Sequence, residues 1–406
     1  MKLTNFSIED FRQFKDFRLE FTDPASGTPL EKVCFIGPNG TGKSTLLRLL
    51  AREAWGTRRD KPAIPGAKDG IQLMGGRTST SVLAQAISSR TTALNADEVD
   101  KQLVVWCPSD TEDGRTEFSG IPLTSLGNAL ADTTYPFEKH VVTLAEAKQF
   151  WTYLVGHIKQ REQRLREFQL QPDNRRKAIE DVDREFDADN PQVLGDLAEV
   201  WNRILNLADL EFDRDSVEIP IQLTDNLKAY VRTKTRKTRV PYEQLSSGIR
   251  HYIFRLGHIR SLYFNRPPGD SILLVDEPEG SLYPDFLYDI VENYREVAPG
   301  CQLFMATHSP IVASQFKPEE RFILTFGDDG YVTARRGVSP EGDDPNDLLY
   351  KDFGVRNLMP EAGQKKWEEF LELRRRIPIT PAQERLPLVE ECAKIGYDYN
   401  FPLNGT

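Results

Sequence analysis

The sequence predicts an α/β fold, a mixed sheet with flanking helices, interrupted by a short inserted helical arm. Three observations carry that expectation. A glycine-rich turn, Gly37 to Thr45, lies between an apolar strand-like run and a leucine-rich helical one. Two further apolar runs, Ile272 to Val275 and Leu303 to Met305, end in polar residues, as parallel strands do when they carry a site at their C-terminal ends. Between these parts, from Leu144 to Leu210, the character changes to charged, amphipathic helix.

The elements follow in order. Apolar and polar residues alternate through Lys2 to Ile8 and Phe17 to Phe21, and Val33 to Ile36 is a short buried-strand run. From Lys43 to Glu53, Leu46, Leu47, Leu49 and Leu50 predict a helix packed on the sheet, and Leu103 to Cys107 predicts another strand. In the arm, Leu144, Trp151, Leu154, Ile158, Leu165 and Phe168 fall near a seven-residue spacing. A second arm helix is announced by Asn190 as cap and Pro191 at the first helical position, with Leu194, Leu197, Trp201, Ile204, Leu205 and Ala208 on one face. That face predicts helix-on-helix packing. Strand signals return from Val217 to Val240, then a helix from Ser247 to about Leu262, a hairpin turning at Gly327 to Gly330, and short helices from Asp347 to Tyr397. The expected organisation is one head in two parts, 1–140 and 213–340, with an arm at 141–212 and a helical tail at 341–406.

Composition excludes several classes. The 406 residues, 39% hydrophobic and 28% charged, suffice for a large core. No stretch approaches the roughly 18 apolar residues of a membrane helix, and the start lacks a signal-peptide pattern, so a cytoplasmic protein with no membrane partner is expected. Cys34, Cys107, Cys301 and Cys392 lie far apart without a metal-ligand spacing, which suits reduced, buried thiols. A net charge of −10 argues against a chain that coats nucleic acid over its whole surface.

Gly37-Pro38-Asn39-Gly40-Thr41-Gly42-Lys43-Ser44-Thr45 fits GxxxxGK[ST] in its required strand-to-helix context. Glycines let backbone N–H groups turn inward on phosphates, Lys43 reaches the β- and γ-phosphates of ATP, and the Ser44 hydroxyl is a ligand for Mg²⁺. Ser271 to Pro278 then delivers two adjacent carboxylates to a strand end. Alternation points them apart, so Asp276 is expected to hold the magnesium and Glu277 to orient or deprotonate the attacking water. Ala306-Thr307-His308-Ser309-Pro310 places His308 just past a neighbouring strand as a γ-phosphate sensor. Leu245-Ser246-Ser247-Gly248 opens a helix, either as a second anion site or as an ordinary N-cap.

In chain order, GPNGTGKST, LSSG, LLVDEP and ATHSP resemble the ATP-binding-cassette (ABC) ATPase superfamily. The resemblance implies an ABC-type head whose two copies dimerise head to tail, so that Ser246, Ser247 and Gly248 of one subunit meet the γ-phosphate held by Lys43 of the other. Ile8 to Phe14 resembles the opening of RecF-like and SMC-like heads and makes Arg12 a nucleotide-contact candidate, the alternative being an exposed strand arginine. Glu277-Pro278-Glu279-Gly280-Ser281-Leu282-Tyr283-Pro284 resembles the EPExxLHP pattern of OLD-like and RecF-like cytosolic ATPases, with Tyr283 in place of the usual histidine. This segment and the long insertion argue against a transporter subunit. A glutamine that senses magnesium is implied, with Gln85 and Gln102 as candidates.

Through Asn346-Asp347-Leu348-Leu349 and Phe353-Gly354-Val355 the tail is similar to those of stand-alone ATPases in Septu-like defence systems, which work beside a separate nuclease. No nuclease is expected in the chain itself, because Asp343, Asp344 and Asp347 lack a supporting strand pattern. Lys228, Arg232, Lys234, Arg236, Lys237 and Arg239 fall close together without an acid, and on a strand Arg232, Lys234 and Arg236 would share one face. Nucleic-acid contact and a solvated hairpin both fit that stretch. The function expected is an ATPase switch controlling a nucleic-acid-processing or anti-phage effector. The rivals are an ATP-holding assembly scaffold with negligible turnover and a RecF-like DNA repair ATPase.

Overall fold

The computed structural model describes residues 2–56, 103–109, 121–122, 139–142, 161–190, 193–212, 226–227, 231–240, 244–263, 271–355 and 359–401. The chain forms two compact units, Met1–Leu348 and Leu349–Thr406. In chain order the described strands are β1 (Asn5–Phe11), β2 (Phe14–Glu20), β3 (Lys32–Ile36), β4 (Val104–Cys107), β5 (Ile121–Pro122), β6 (Lys139–Val141) and β7 (Leu210–Phe212). They continue with β8 (Asn226–Leu227), β9 (Val231–Thr233), β10 (Arg239–Val240), β11 (Ser271–Asp276), β12 (Cys301–Ala306), β13 (Arg321–Phe326) and β14 (Val332–Arg336).

The central sheet runs β14-β13-β3-β12-β11-β4-β6. Every pairing in it is parallel except the β13–β14 hairpin, so this is the mixed α/β sheet that the sequence predicts. Strands β3, β11 and β12 are apolar along their length because both faces are covered. On one face the β1–β2 hairpin and the Lys43–Gly56 helix share a core with the sheet. Phe21 sits edge-on to Phe304 at 5.1 Å and Phe322 at 5.5 Å. Each such ring contributes about 1.5–3 kcal/mol through burial alone.

The Ser247–Tyr263 helix is buried along most of its length. The Val193–Leu205 helix approaches it so closely that a Cβ at Gly257 would lie 2.6 Å from the Trp201 ring. The fully buried Trp201 indole N–H donates to the Ile253 carbonyl at 2.9 Å. The helix-on-helix packing expected for the Trp201 face is therefore present, and Gly257 makes it geometrically feasible.

Asn190 closes the Ile179–Asp189 helix, a role not read from the sequence: its backbone N–H and its Nδ2 both donate to the Phe186 carbonyl. Residues 143–160 of the expected heptad arm and Pro191 lie outside the described residues, while 161–169 are helical and Phe168 packs on Phe186 at 5.6 Å. The basic stretch forms the hairpin, one of its two readings, and not one continuous strand face. β9 ends at Thr233, Lys234 to Arg236 form a turn, and Arg232 and Lys237 both pair with Glu211 on the neighbouring β7. Arg239 stands opposite Arg232 in register, and the Glu211 carboxylate offsets that like-charge pairing.

The tail helices are longer than expected. Glu361–Ile379 and Arg385–Asp398 close over a core of Phe370, Leu373, Cys392, Ile395 and Phe401. Pro387 falls in the first turn of the second, where a missing N–H costs little, whereas Pro378, in the last turn of the first, forgoes a bond to the preceding turn. All four cysteines are buried and free, as expected.

Candidate active site

Strand register brings the predicted motifs to one edge. Asp276 pairs with Ala306, and Ala306 with Phe35, so three loops leave β3, β11 and β12 side by side. The Thr307 N–H donates to the Phe35 carbonyl at 3.1 Å and the Glu277 N–H to that of Ala306 at 2.9 Å.

The loop Gly37–Gly42 needs its glycines. Gly37 has φ 150°, and a Cβ there would lie 2.3 Å from the Leu324 carbonyl oxygen. Gly42 has φ 89°, and its Cβ would meet Gln13 Nε2 at 2.1 Å. Pro38, Asn39 and Gly40 are exposed, while the Thr41 hydroxyl donates to the Pro38 carbonyl at 2.8 Å. Ser44 and Thr45 open the helix, whose free N–H groups face the loop. Lys43 is buried and donates to the Gly37 carbonyl at 2.8 Å and to that of Pro38 at 3.2 Å. Burial pulls its pKa below the ordinary lysine range, opposed by Asp276, Glu277 and Glu279.

The two adjacent carboxylates occupy different surroundings. Asp276 is 2% exposed, accepts a hydrogen bond from Ser44, and its Oδ1 has no hydrogen-bond partner among the described residues. Burial, only partly offset by Ser44, raises its pKa to about 6. An unsatisfied buried carboxylate oxygen beside a serine hydroxyl is the hard oxygen donor set that a magnesium ion takes, so these two residues fit that ion. Glu277 has φ 44°, a left-handed kink at the end of β11 that turns its side chain into a partly exposed position. His308 Nε2 lies 3.9 Å from its Oε1. Burial and then the Lys43 charge lower the His308 pKa, against the pull of Glu277. Lys43, Asp276, Glu277 and His308 thus form one electrostatically connected group.

Glu279 also belongs to this group, with no role assigned to it from the sequence. Its Oε1 accepts from the Thr307 hydroxyl and from the His308 N–H, each at 2.7 Å. The second glutamate of Glu277-Pro278-Glu279 was the available signal, but a strand end gives no register for a residue three positions on.

Ser246 and Ser247 are exposed at the start of the Ser247–Tyr263 helix, and Ser246 Oγ accepts from the Ile249 N–H at 3.4 Å, as an N-cap does. Among the described residues no hydrogen bond or ion pair joins Ser246, Ser247 or Gly248 to the Gly37–Thr45 loop. Gly248 is buried against the backbone of Ser281. Arg12 is exposed in the β1–β2 turn, not within a strand, with φ 54° and its guanidinium 5.5 Å from the Phe11 ring centre. Its neighbour Gln13 donates to the Gly40 carbonyl at 3.3 Å, which brings that turn to the cradle. Tyr283 is 68% exposed. Gln85 and Gln102 lie outside the described residues. The C-terminal end of β4, Cys107 to Ser109, is the end beside Asp276. No candidate metal cluster of His, Cys, Asp and Glu occurs among the described residues, Asp343, Asp344 and Asp347 included.

A mostly parallel sheet with a phosphate-binding loop, paired carboxylates and a histidine on one edge defines an α/β ATPase head, as the ABC resemblance implied. Residues 1–52 and 146–313, more than half of the chain, match the AAA ATPase domain family, and the chain belongs to that family. Among solved structures it is similar to an Smc head bound to the C-winged helix domain of ScpA, at 10% identity and TM-score 0.39, covering 83% of this chain and 98% of that one. An Smc head with an extended coiled coil bound to the C-terminal domain of ScpA, from Pyrococcus furiosus, matches at 11% identity and TM-score 0.38, covering 82% and 96%. A structure described under ATP-driven dimerization and DNA stimulated activation of SMC ATPases matches at 12% identity and TM-score 0.31, covering 44% and 99%. No described helix is long and apolar enough to cross a membrane.

Proposed function

We propose that this chain hydrolyses ATP at the interface of a head-to-tail homodimer and works as a nucleotide-driven switch. Gly37, Asn39, Gly40, Thr41, Gly42 and Thr45 wrap the phosphates with backbone and hydroxyl donors, and Lys43 leaves its loop carbonyls for the β- and γ-phosphates. Ser44 and Asp276 would hold Mg²⁺, which neutralises charge on the phosphate oxygens when bound. Glu277 takes the proton of the attacking water, and His308, whose pKa is lowered by burial and then by Lys43, faces the γ-phosphate from the neighbouring strand. Arg12, in the turn whose Gln13 bonds Gly40, would reach the nucleotide from that side.

The observation that carries the dimer is the state of Ser246 and Ser247. They stand exposed at a helix start, with N–H groups suited to an anion, and have no bond to the cradle of their own chain. A second copy would supply the missing phosphate. For output, the Glu277–Pro284 pattern supports control of a separate cytoplasmic nuclease or another anti-phage effector. Lys234 and Arg236, exposed in the β9–β10 turn, are the groups left for nucleic-acid contact, since Arg232 is held by Glu211.

Sedimentation and turnover test this reading together. Glu277→Gln with ATP and Mg²⁺ should sediment as a dimer, with turnover reduced by about 10²–10⁴-fold. Wild-type specific activity should rise with protein concentration, and Ser247→Arg should abolish both dimer and turnover. A chain that stays monomeric with ATP, with turnover strictly proportional to its concentration, would overturn the dimer. Assembly with ATP but no turnover in any variant would favour the scaffold.

A further inference from the structure

We propose that Glu279 is the latch that fixes His308 beside the Glu277 carboxylate, making it a positioning residue for hydrolysis. The inference rests on the function proposed above and extends it to a residue outside the four motifs.

The side chain and backbone of the Thr307–Ser309 turn converge on one carboxylate oxygen. Glu279 Oε1 accepts from the His308 backbone N–H and from the Thr307 hydroxyl, each at 2.7 Å. That hydroxyl, completely buried, in turn accepts from the Ser309 N–H at 2.9 Å. Three consecutive residues after β12 are thus held by Glu279 directly or through one hydroxyl. The carboxylate itself is fixed by its own turn, in which the Gly280 N–H donates to the Glu277 carbonyl at 3.1 Å and the Leu282 N–H to the Glu279 carbonyl at 3.0 Å. His308 has a half-exposed imidazole and no side-chain hydrogen bond among the described residues, so its place relative to Glu277 is set through its backbone.

Glu279 Oε2 is buried and has no partner among the described residues. Burial pushes the carboxyl above its ordinary range, opposed by the bonds from His308 and Thr307. The latch therefore needs one well-placed acceptor oxygen and not a charge. An amide oxygen keeps both bonds, whereas an apolar side chain removes both and leaves the donors unsatisfied.

Four full-length variants test this: Glu279→Ala, Glu279→Gln, His308→Ala and the double variant Glu279→Ala with His308→Ala. ATP turnover, nucleotide affinity and the imidazole NMR signal of nucleotide-free protein are measured, the His308 signal being the one lost in His308→Ala. Glu279→Ala should lower kcat on the order of 10²-fold with ATP affinity kept, the scale of a misplaced catalytic group. Glu279→Gln should stay near wild type, and in the His308→Ala background Glu279→Ala should cost nothing further. The His308 signal should move in Glu279→Ala and hold in Glu279→Gln. If Glu279→Ala does not fold, Thr307→Val, which deletes one of the two donors, carries the same comparisons. Turnover that responds to Glu277→Gln but not to Glu279→Ala, additive losses in the double variant, or an unmoved His308 signal would overturn the latch. A His308 signal that responds as expected in a chain with no turnover would overturn the ATPase reading and leave the latch standing.

Discussion

Gly248 and Ser281 are in backbone contact: a Cβ on Gly248 would lie 2.0 Å from the Ser281 carbonyl oxygen. Ser281 itself adopts φ 58°. The start of the Ser247–Tyr263 helix and the turn after the paired carboxylates are therefore one packed unit, and glycine serves packing as well as any anion contact. Gly248→Ala should force the turn to shift and cost about 1–3 kcal/mol, read by denaturant unfolding. ATP affinity should stay near wild type while turnover falls.

Asp276 gives a pH dependence whose sign can be worked out. Burial raises its folded pKa to about 6, above the ordinary value of 3.8, so the folded state holds the proton more tightly. Its stabilising proton is present below about pH 4 and is lost as pH rises through about 6, leaving a buried charge. Asp276→Asn should then gain stability over wild type, reaching about 3 kcal/mol by pH 8 and vanishing near pH 4, in magnesium-free thermal unfolding. Adding Mg²⁺ should stabilise wild type above pH 6 and leave Asp276→Asn unchanged.

The Lys43 charge helps hold the His308 imidazole below its usual pKa, after burial itself. Lys43→Met should raise the His308 pKa in an NMR titration of nucleotide-free protein, because Glu277 then acts unopposed by that lysine. An unchanged titration would mean that burial alone sets it.

Trp201→Ala should destabilise the chain by about 3–5 kcal/mol, since it removes a fully buried indole and leaves a cavity over Gly257. Trp201→Phe should cost less, keeping most of the volume and losing the bond to Ile253.

Much of the site was legible because its requirements are local. The Gly37–Thr45 loop announces itself through residues that the backbone demands at fixed spacing, as with Gly42 at φ 89° beneath Gln13. Apolar runs before Asp276 and His308 predicted neighbouring strands, and β11 and β12 do pair. What escaped depends on partners distant in sequence. Glu211 neutralises Arg232 across β7 and β9, which no run of basic residues reveals. Asn190 also closes the helix before it, through bonds to Phe186 that its position beside Pro191 does not announce. Glu279 reaches the His308 turn only because β11 and β12 lie in register.

The indole of Trp201 over Gly257 also bears on how this protein can be cut. Excising residues 141–212 to leave a minimal catalytic core would uncover the flank of the helix that begins at Ser247 and open a greasy trench along it. Such a truncation should be insoluble or prone to self-association, so the arm and the head form a single folding unit that engineering cannot treat as interchangeable modules.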